Sequence, residues 1–376
     1  MRVTMVNKYY PPHLGGIEFH MRDLATALVG RGVDVRAIVS NEDNAVASET
    51  IDGVRIIRMA RSFHYASTPV VPGMALALRK ESAREGAPDL FHLHFPYPWG
   101  EVAWLRAKVS QPTVLAYHSD IVRQKALLAA YSPILDRVLD RVDVILASSP
   151  NMVEHSPFLS RRAEKCRVIP YGIHVERYAD TPELLARAAE LREGHSRPIV
   201  LFVGRLVYYK GPEVLVRAMA GVDADLVVIG RGPLKRELQA IAESHGITSR
   251  VTFLDPVDDD ELAAWYHAAD VFCLPSVARS EAYGLVQLEA HASGTPTVST
   301  TLTTSVPFVN ADGVTGLTVP PGDVPALAEA LQTLVADESL CARLGAQARE
   351  RARAQFTVDR MVDRTLEVYA ELGVSS

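Results

Sequence analysis

The sequence has little cysteine and no long apolar run. Its three cysteines, among 376 residues, show no paired spacing, which excludes a disulfide framework and a cysteine-based zinc site. No apolar stretch approaches the ~18 residues that a membrane-spanning helix needs. Asn7 and Lys8 interrupt the first apolar residues, so we expect no signal peptide. The expected location is the reducing cytoplasm.

Charge is distributed unevenly along the chain. The net charge of −6 divides into +4 for residues 1–173 and −10 for the remainder. The positive excess in residues 1–173 is too small and too dispersed for nucleic-acid binding, so we expect no nucleic-acid partner. A mildly basic first part suits an anionic small molecule, a phosphate-bearing acceptor or an anionic membrane surface. Ordinary surface charge explains it equally well.

Short apolar runs alternate with amphipathic stretches along the whole chain, which is typical of parallel sheets covered by helices on both faces. In the first part, the pattern predicts a helix at 17–29 and strands at 3–7, 33–40, 89–95, 112–118 and 142–148, and the segment 168–173 is expected to finish this half. After a hydrophilic, helical connection at 181–197, it predicts strands at 198–204, 225–230, 250–254, 271–275 and 297–300. This restart predicts an α/β protein with two doubly wound domains. In such domains, ligands bind at the carboxyl ends of the strands.

The segment 280–290 places two carboxylates around a glycine. Apolar residues at helical spacing predict a helix that begins near Gly284. The unpaired N–H groups and the dipole of a helix N-terminus favour a bound phosphate. Glu281 before the turn and Glu289 within the helix can accept hydrogen bonds from hydroxyl groups beside that phosphate. A nucleotide-sugar offers this combination of groups.

Two further loops carry glycine or positive charge after a predicted strand. Gly15 and Gly16 follow the first strand, where they permit close approach of the backbone to a ligand. They do not form the G-x-G-x-x-G fingerprint of a dinucleotide site, which argues against a nicotinamide dehydrogenase. Arg205 and Lys210 lie five residues apart after the first strand of the second half, a spacing suited to neutralising a diphosphate.

His118 ends a predicted strand, at the edge where the other loops converge. Two acidic motifs, in contrast, are predicted not to bind metal. Asp223 and Asp225 form an Asp-x-Asp pattern but precede their strand, and Asp258 with its acidic neighbours is expected to cap a helix. We therefore predict no catalytic metal.

Six motifs, taken together and in their order along the chain, are specific enough to indicate a protein family. They are Pro-Pro-His-Leu-Gly-Gly-Ile at 11–17, Ile-Pro-Tyr-Gly-Ile at 169–173, Val-Gly-Arg-Leu-Val-Tyr-Tyr-Lys-Gly at 203–211, Leu-Pro-Ser at 274–276, the glutamates at 281 and 289, and Thr-Gly-Leu-Thr-Val-Pro-Pro-Gly-Asp at 315–323. With them the chain resembles glycosyltransferase family 4, retaining enzymes of GT-B architecture that use nucleotide-sugars, over essentially its full length.

The resemblance implies two Rossmann-like domains that face a central cleft. Residues 1–173 would form the acceptor domain and 174–356 the donor domain, with the C-terminal helix at 357–376 returning to the first. It also implies a nucleotide-sugar as co-substrate, no separate cofactor, and a glycan or lipid-linked acceptor. Cytoplasmic location, with peripheral contact to the inner membrane face, is the matching expectation.

The resemblance further assigns roles to single residues. Arg205 and Lys210 would clamp the diphosphate, Glu289 would accept the ribose hydroxyls, and Glu281 would contact the donor sugar. The remaining implied contacts are the amides of Gly284, Leu285 and Val286 for phosphate and sugar, Gly15 and Gly16 for the diphosphate, and His118 beside the transferred sugar. The family often has glycine where this sequence has Asp255, near the nucleobase, which leaves the nucleotide open between GDP and UDP.

Two alternatives remain at this level. A nucleotide-sugar 2-epimerase shares the two-domain architecture and needs no second substrate. A non-catalytic nucleotide-sugar-binding subunit would retain the fold without turnover. For a transferase, the resemblance favours mannose from GDP-mannose, with UDP-linked glucose or N-acetylglucosamine close behind.

Overall fold

A computed structural model describes residues 1–13, 15–65, 68–121 and 125–374, and the side chains of 125–127 are not described. The chain forms two compact units. Unit 1 comprises Met1–Tyr171 and Val358–Ser376, and unit 2 comprises Gly172–Thr357. The boundary expected after residue 173 lies two residues from this division. Within the described ranges, no helix has both the length and the apolar character required to cross a membrane.

The helices and strands alternate along both units. The strands are β1 (Arg2–Val6), β2 (Asp34–Ser40), β3 (Ala47–Ile51), β4 (Val54–Met59), β5 (Phe63–Tyr65), β6 (Thr68–Val70), β7 (Leu90–Phe95), β8 (Thr113–Tyr117), β9 (Val144–Ala147), β10 (Cys166–Val168), β11 (Ile199–Val203), β12 (Asp225–Ile229), β13 (Val251–Leu254), β14 (Val271–Leu274), β15 (Thr297–Thr300) and β16 (Gly316–Val319).

The α-helices are α1 (Gly16–Gly30), α2 (Met74–Ala83), α3 (Pro98–Ala107), α4 (Lys125–Arg141), α5 (Pro150–His155), α6 (Pro182–Glu193), α7 (Pro212–Ala218), α8 (Lys235–Ser244), α9 (Asp259–Ala268), α10 (Leu285–Ala292), α11 (Val306–Val309), α12 (Val324–Ala336), α13 (Glu338–Gln355) and α14 (Val358–Glu371). Short 3-10 turns lie at Ser160–Lys165, Val175–Tyr178, Tyr208–Lys210, Met219–Gly221 and Thr248–Arg250.

Unit 1 contains an eight-stranded sheet in the order β10-β9-β8-β7-β1-β2-β4-β3. All neighbouring strands are parallel except β3, which pairs antiparallel with β4. The strands β5 and β6 form a separate antiparallel hairpin. The C-terminal helix α14 belongs to this unit, because Met361, Val362 and Tyr369 pack into its apolar core. Arg31 at the end of α1 also pairs with Asp359 at 2.9 Å.

Unit 2 contains a six-stranded parallel sheet in the order β13-β12-β11-β14-β15-β16. Its central strand β11 is buried on both faces. Val200 and Phe202 enter one apolar cluster, and Ile199 and Leu201 enter another. Burial on both sides explains why this strand reads as a continuous apolar run rather than an alternating one.

Each sheet has one position at which the strand order reverses. In unit 2 it lies between β11 and β14, because the chain runs outward from β11 to β13 and then from β14 to β16. In unit 1 it lies between β1 and β7. Ligands of open α/β sheets bind beside such switch points, at the carboxyl ends of the strands. The loops that follow these four strands therefore define where a site belongs.

Candidate active site

The loop after β11 carries Arg205 and Lys210, as predicted. Lys210 is the last residue of a short 3-10 turn at Tyr208–Lys210, and Gly211 follows that turn with φ +64°. A Cβ on Gly211 would lie 2.2 Å from the carbonyl oxygen of Pro275. Only glycine therefore allows this loop to approach the loop after β14 so closely.

Arg205 is exposed and held by a neighbouring ring. Its guanidinium Nη2 donates to the Tyr209 hydroxyl at 2.6 Å, and its Cζ lies 5.9 Å from the centre of that ring. Tyr209 therefore orients the guanidinium from within the same loop. The other N–H groups of this guanidinium can then donate hydrogen bonds to two oxygens of one phosphate.

Lys210 and Glu281 are brought together by the two loops at the switch point. The Lys210 Nζ lies 2.7 Å from Glu281 Oε2, and both side chains are largely buried. The hydroxyl of Ser276 donates to the same carboxylate oxygen at 3.3 Å. The structure thus joins a predicted phosphate ligand directly to a predicted sugar ligand.

Helix α10 begins where the sequence predicts, directly after Gly284. This glycine has φ +76°, and a Cβ there would lie 2.6 Å from Leu274 Cδ2. The half-buried Leu285 and Val286 occupy the first helical turn, whose amides have no intrahelical acceptor. The turn therefore presents donors beside the Lys210–Glu281 pair.

Glu289 lies in the following turns of α10. One of its oxygens accepts a hydrogen bond from Tyr266 Oη at 2.6 Å. Burial raises the pKa of Glu289, while the Tyr266 hydrogen bond and the Lys210 charge act in the opposite direction. Lys210 is thus one of the charges that act on the Glu289 carboxyl.

Three aspartates that the sequence analysis considered have other surroundings than Lys210, Glu281 and Glu289. Asp255, directly after β13, lies 3.5 Å from Lys235 Nζ. Asp225 is the first residue of β12 and so lies at the amino edge of the sheet, away from the switch-point loops. Asp258 caps α9 by accepting from the Glu261 amide at 2.9 Å, as predicted.

In unit 1, Gly15 and Gly16 lie at the N-terminus of α1. Gly16 has open space where a side chain would project. Gly15 does not, because a Cβ there would lie 2.1 Å from Glu18 Oε2. The Glu18 carboxylate, unnoticed in the sequence, folds back toward this helix N-terminus, where the dipole favours negative charge.

His118 follows β8 and is buried, with both ring nitrogens engaged. Its Nδ1 pairs with the Tyr171 hydroxyl and its Nε2 lies 2.9 Å from His94 Nδ1. Burial, followed by the charges of His20 and His92, holds the pKa of His118 well below its usual range. A direct contact of this ring with a sugar requires one of the two hydrogen bonds to open.

The other histidines around His118 escaped the sequence analysis. His92 and His94 alternate along β7, so a period of two would have placed them on one face of the sheet. His20 lies one helical turn beyond Gly16. Tyr266, in contrast, leaves no local signal, because only the fold brings α9 against α10.

Unit 1 also contains an open apolar cavity of ≈ 590 Å³. Its lining includes the exposed rings of Phe63 and Tyr65 on the β5–β6 hairpin, and Trp99 on α3. Trp99 is fixed by its Nε1, which donates to the Val71 carbonyl at 2.6 Å. Ile134 on α4 also lines the cavity.

Comparison with known proteins decides the family. Residues 14–177 match the model described as Glycosyltransferase Family 4, and residues 186–351 match that of Glycosyl transferases group 1. O-antigen chain mannosyltransferase C of Escherichia coli is 34% identical to this chain, covering 99% of both chains. The chain belongs to glycosyltransferase family 4. It is accordingly a hexosyltransferase.

Other relatives of this family 4 chain are named for rhamnosyl or mannosyl transfer. D-rhamnosyltransferase WbpZ of Pseudomonas aeruginosa is 34% identical over 95% of this chain and 92% of its own. Phosphatidyl-myo-inositol mannosyltransferase of Mycobacterium leprae is 29% identical over 100% and 98%.

Solved structures give the fold class. A sucrose-phosphate synthase from Thermosynechococcus elongatus superposes with a TM-score of 0.82 at 26% identity, covering 100% of both chains. Anabaena HepE in complex with UDP gives 0.80 at 20% identity over 99% of this chain and 100% of its own. The family 4 chain therefore has the GT-B fold with two Rossmann-like domains, as the sequence predicts.

Proposed function

We propose that this hexosyltransferase moves mannose from GDP-mannose to a lipid-linked glycan, with retention of anomeric configuration and without a metal at the diphosphate. The observation that carries the proposal is the Lys210–Glu281 pair beside the N-terminus of α10. It combines a phosphate ligand, a hydroxyl acceptor and helix amides at one switch point.

Each group in unit 2 has a role in this proposal. Arg205 and Lys210 bind the diphosphate, and the first amides of α10 bind the distal phosphate and sugar. Glu281 accepts a sugar hydroxyl, while the ribose hydroxyls bind Glu289. Two cations and a helix N-terminus supply the positive charge that a metal provides elsewhere, which supports the metal-free assignment.

Charge stabilisation rather than covalent catalysis drives the proposed transfer. The acceptor oxygen bonds to the anomeric carbon as the bond from that carbon to the phosphate oxygen breaks. The departing phosphate oxygen takes the acceptor proton, so no protein nucleophile is required. Arg205 and Lys210 stabilise the negative charge that grows on the leaving diphosphate.

The relatives support the choice of donor. Two of them, from Escherichia coli and Mycobacterium leprae, are named mannosyltransferases, whereas the Anabaena structure binds UDP at lower identity. GDP-mannose is therefore proposed ahead of UDP-glucose and UDP-N-acetylglucosamine.

The acceptor assignment draws on the name of the Escherichia coli relative and on unit 1. O-antigen chain synthesis implies a growing glycan, and the apolar cavity beside Phe63, Tyr65 and Trp99 suits its hydrocarbon carrier. An enzyme acting on such a carrier works at the cytoplasmic face of the membrane, with peripheral contact.

A thermal-shift screen against GDP, GDP-mannose, UDP and UDP-glucose tests the donor. Ligands that bind only the folded state raise the melting temperature by mass action. GDP and GDP-mannose should raise it, and Lys210→Ala should reduce that rise. Stabilisation by UDP compounds alone would overturn the GDP assignment. No stabilisation by any of them would overturn the proposal as a whole.

A further inference from the structure

A buried glutamine lies directly behind the turn at Gly284. Gln287 is the third residue of α10, and its side chain is fully buried. Its Nε2 donates to the carbonyl oxygen of Tyr283 at 3.2 Å and to that of Gly284 at 3.4 Å. One side-chain amide therefore holds both of the peptide groups that flank Gly284.

These two contacts set the direction of two backbone N–H groups. In a planar trans peptide, the C=O and the N–H point to opposite sides of the chain. Because Gln287 holds the carbonyl of Tyr283, the N–H of Gly284 points away from Gln287. By the same geometry, the held carbonyl of Gly284 directs the N–H of Leu285 away. Gln287 thus orients two of the amides that are proposed to bind the distal phosphate and sugar.

The glycine of the turn and the glutamine of the helix depend on each other. A Cβ on Gly284 would lie 2.7 Å from Gln287 Nε2, so a side chain at 284 would displace the amide from its carbonyl partners. The opposite orientation of the amide would set Oε1 against two carbonyl oxygens, which only accept hydrogen bonds. The NH2 end of Gln287 therefore has to face the turn.

The other end of this amide has no hydrogen bond. Gln287 Oε1 is buried and lacks a partner among the residues that the structure describes. A buried acceptor without a partner costs free energy, and an apolar side chain of the same shape would avoid that cost. Stability of the fold therefore does not account for a glutamine at this position, whereas its two hydrogen bonds to the turn do.

We propose that Gln287 is a positioning residue for the donor diphosphate, because it holds the amides of Gly284 and Leu285 in the direction in which they bind the distal phosphate. It acts from the buried side of the turn and touches neither phosphate nor sugar. The inference rests on the proposed function, in which these amides contact that phosphate. Amides fixed before the donor binds need not reorient as negative charge grows on the leaving diphosphate.

Calorimetric binding of GDP and of GMP to the full chain tests the proposal. GMP lacks the distal phosphate, so the ratio of the two dissociation constants isolates the contribution of that phosphate. Gln287→Met has a similar length and cannot donate. It should weaken GDP binding about tenfold or more, since hydrogen bonds to a charged group are the strong ones, and should change GMP binding less than twofold.

Two controls separate positioning from a general loss of stability. Gln239→Met makes the same substitution at an exposed position of α8. Leu331→Ala removes a buried side chain from the apolar core of unit 2. Both should retain the wild-type ratio of the GDP and GMP dissociation constants. An unchanged ratio in Gln287→Met, or an equal loss of affinity for both nucleotides, would overturn the proposal.

A failure of the inference is distinguishable from a failure of the proposed function. If the wild type prefers UDP, the ratio for UDP and UMP gives the same test. A wild type that binds neither diphosphate more tightly than its monophosphate contradicts the proposed function, and the inference with it. A wild type that does so, combined with an unchanged ratio in Gln287→Met, contradicts the inference alone.

NMR of the wild type with isotope-labelled glutamine decides if Gln287→Met does not fold. Gln287 is the one fully buried glutamine in the described ranges, so one side-chain NH2 group should exchange slowly with solvent. Its signals should shift when GDP binds but not when GMP binds, because only GDP polarises the peptide groups that Gln287 holds. No shift, or equal shifts with both nucleotides, would contradict the positioning role.

Discussion

The ammonium of Lys210 lies 2.7 Å from a carboxylate oxygen of Glu281, and the two side chains are only 13% and 9% exposed. One residue follows β11 and the other follows β14, so the pair closes across the switch point of unit 2. A cation so placed is held in one position before any phosphate arrives. Preorganised charge of this kind lowers a barrier more effectively than charge that must first reorient.

Lys210→Ala should lower both turnover and stability. The substitution leaves the Glu281 carboxylate buried without its partner, which costs about 3 kcal/mol of unfolding free energy. Urea denaturation measures this term, and steady-state kinetics measures kcat.

Glu281→Gln in the Lys210→Ala background is the matched control for the stability term. Because it removes the unpaired charge, the double variant should regain much of the lost stability while kcat stays low. Wild-type stability in Lys210→Ala would show that the pair does not form in solution.

Arg205→Ala should slow the transfer without unfolding the protein, since its guanidinium is exposed and contacts Tyr209. Loss of one group that stabilises the leaving diphosphate costs about 2–4 kcal/mol, or about 30- to 900-fold in kcat/KM. Arg217→Ala, an exposed arginine on α7, should have no effect. Near-normal turnover in Arg205→Ala would refute the clamp assignment.

Most strands of both sheets could be predicted because a buried strand leaves a short apolar run in the sequence. All ten predicted strands are present, with ends that differ by at most two residues. Some of the strands that the pattern missed lack that signature, although β4 has it, with Val54 and Ile56 buried. β3 is almost entirely exposed, and β16 is a four-residue strand that opens on glycine. The last strand of the unit 1 sheet is Cys166–Val168, earlier than the segment 168–173 expected to finish that half.

The residues of the candidate site could be predicted from the sequence, but the contacts between them could not. A glycine before an apolar helical run predicts the anion-binding turn at Gly284, because backbone conformation is a local property. That Lys210 pairs with Glu281 depends on which strands are neighbours, and sequence alone does not fix strand order. The same reason hides the contact of Tyr266 with Glu289 and the convergence of the unit 1 histidines.

A buried carboxyl of α3 should make stability depend on pH. Glu101 accepts hydrogen bonds from the Tyr97 amide at 2.7 Å and from the Tyr131 hydroxyl, and burial raises its pKa to about 8. The folded state therefore retains a proton that the unfolded state releases. Its stabilising contribution is complete below pH ~4.5 and is lost as the pH rises toward ~8, by on the order of 5 kcal/mol.

Glu101→Gln should remove this slope between pH 5 and 8, because the amide does not titrate. Its oxygen can still accept from the Tyr97 amide, and its NH2 group can donate to the Tyr131 hydroxyl oxygen. Urea denaturation across that range, compared with wild type, measures the difference. Glu154→Gln, at an exposed position, should retain the wild-type slope. Parallel curves for wild type and Glu101→Gln would contradict the raised pKa.

The apolar cavity of unit 1 should matter only for an acceptor that carries a lipid. The double substitution Phe63→Ser, Tyr65→Ser removes two exposed rings from its wall. Loss of that apolar contact should raise KM for a lipid-linked acceptor about tenfold or more. KM for the same glycan without lipid should not change, and Leu185→Ser, an exposed apolar residue of unit 2, is the control. An equal change in KM for both acceptors would show that the cavity does not bind the lipid.

The most direct measurement incubates the protein with GDP-mannose and a lipid-linked glycan in excess EDTA, and determines the anomeric configuration of the product by NMR. We expect full turnover, free GDP as the second product and a mannosyl linkage with the configuration of the donor. An inverted linkage, turnover that returns only with Mn²⁺, or an epimerised donor formed without acceptor would contradict the account.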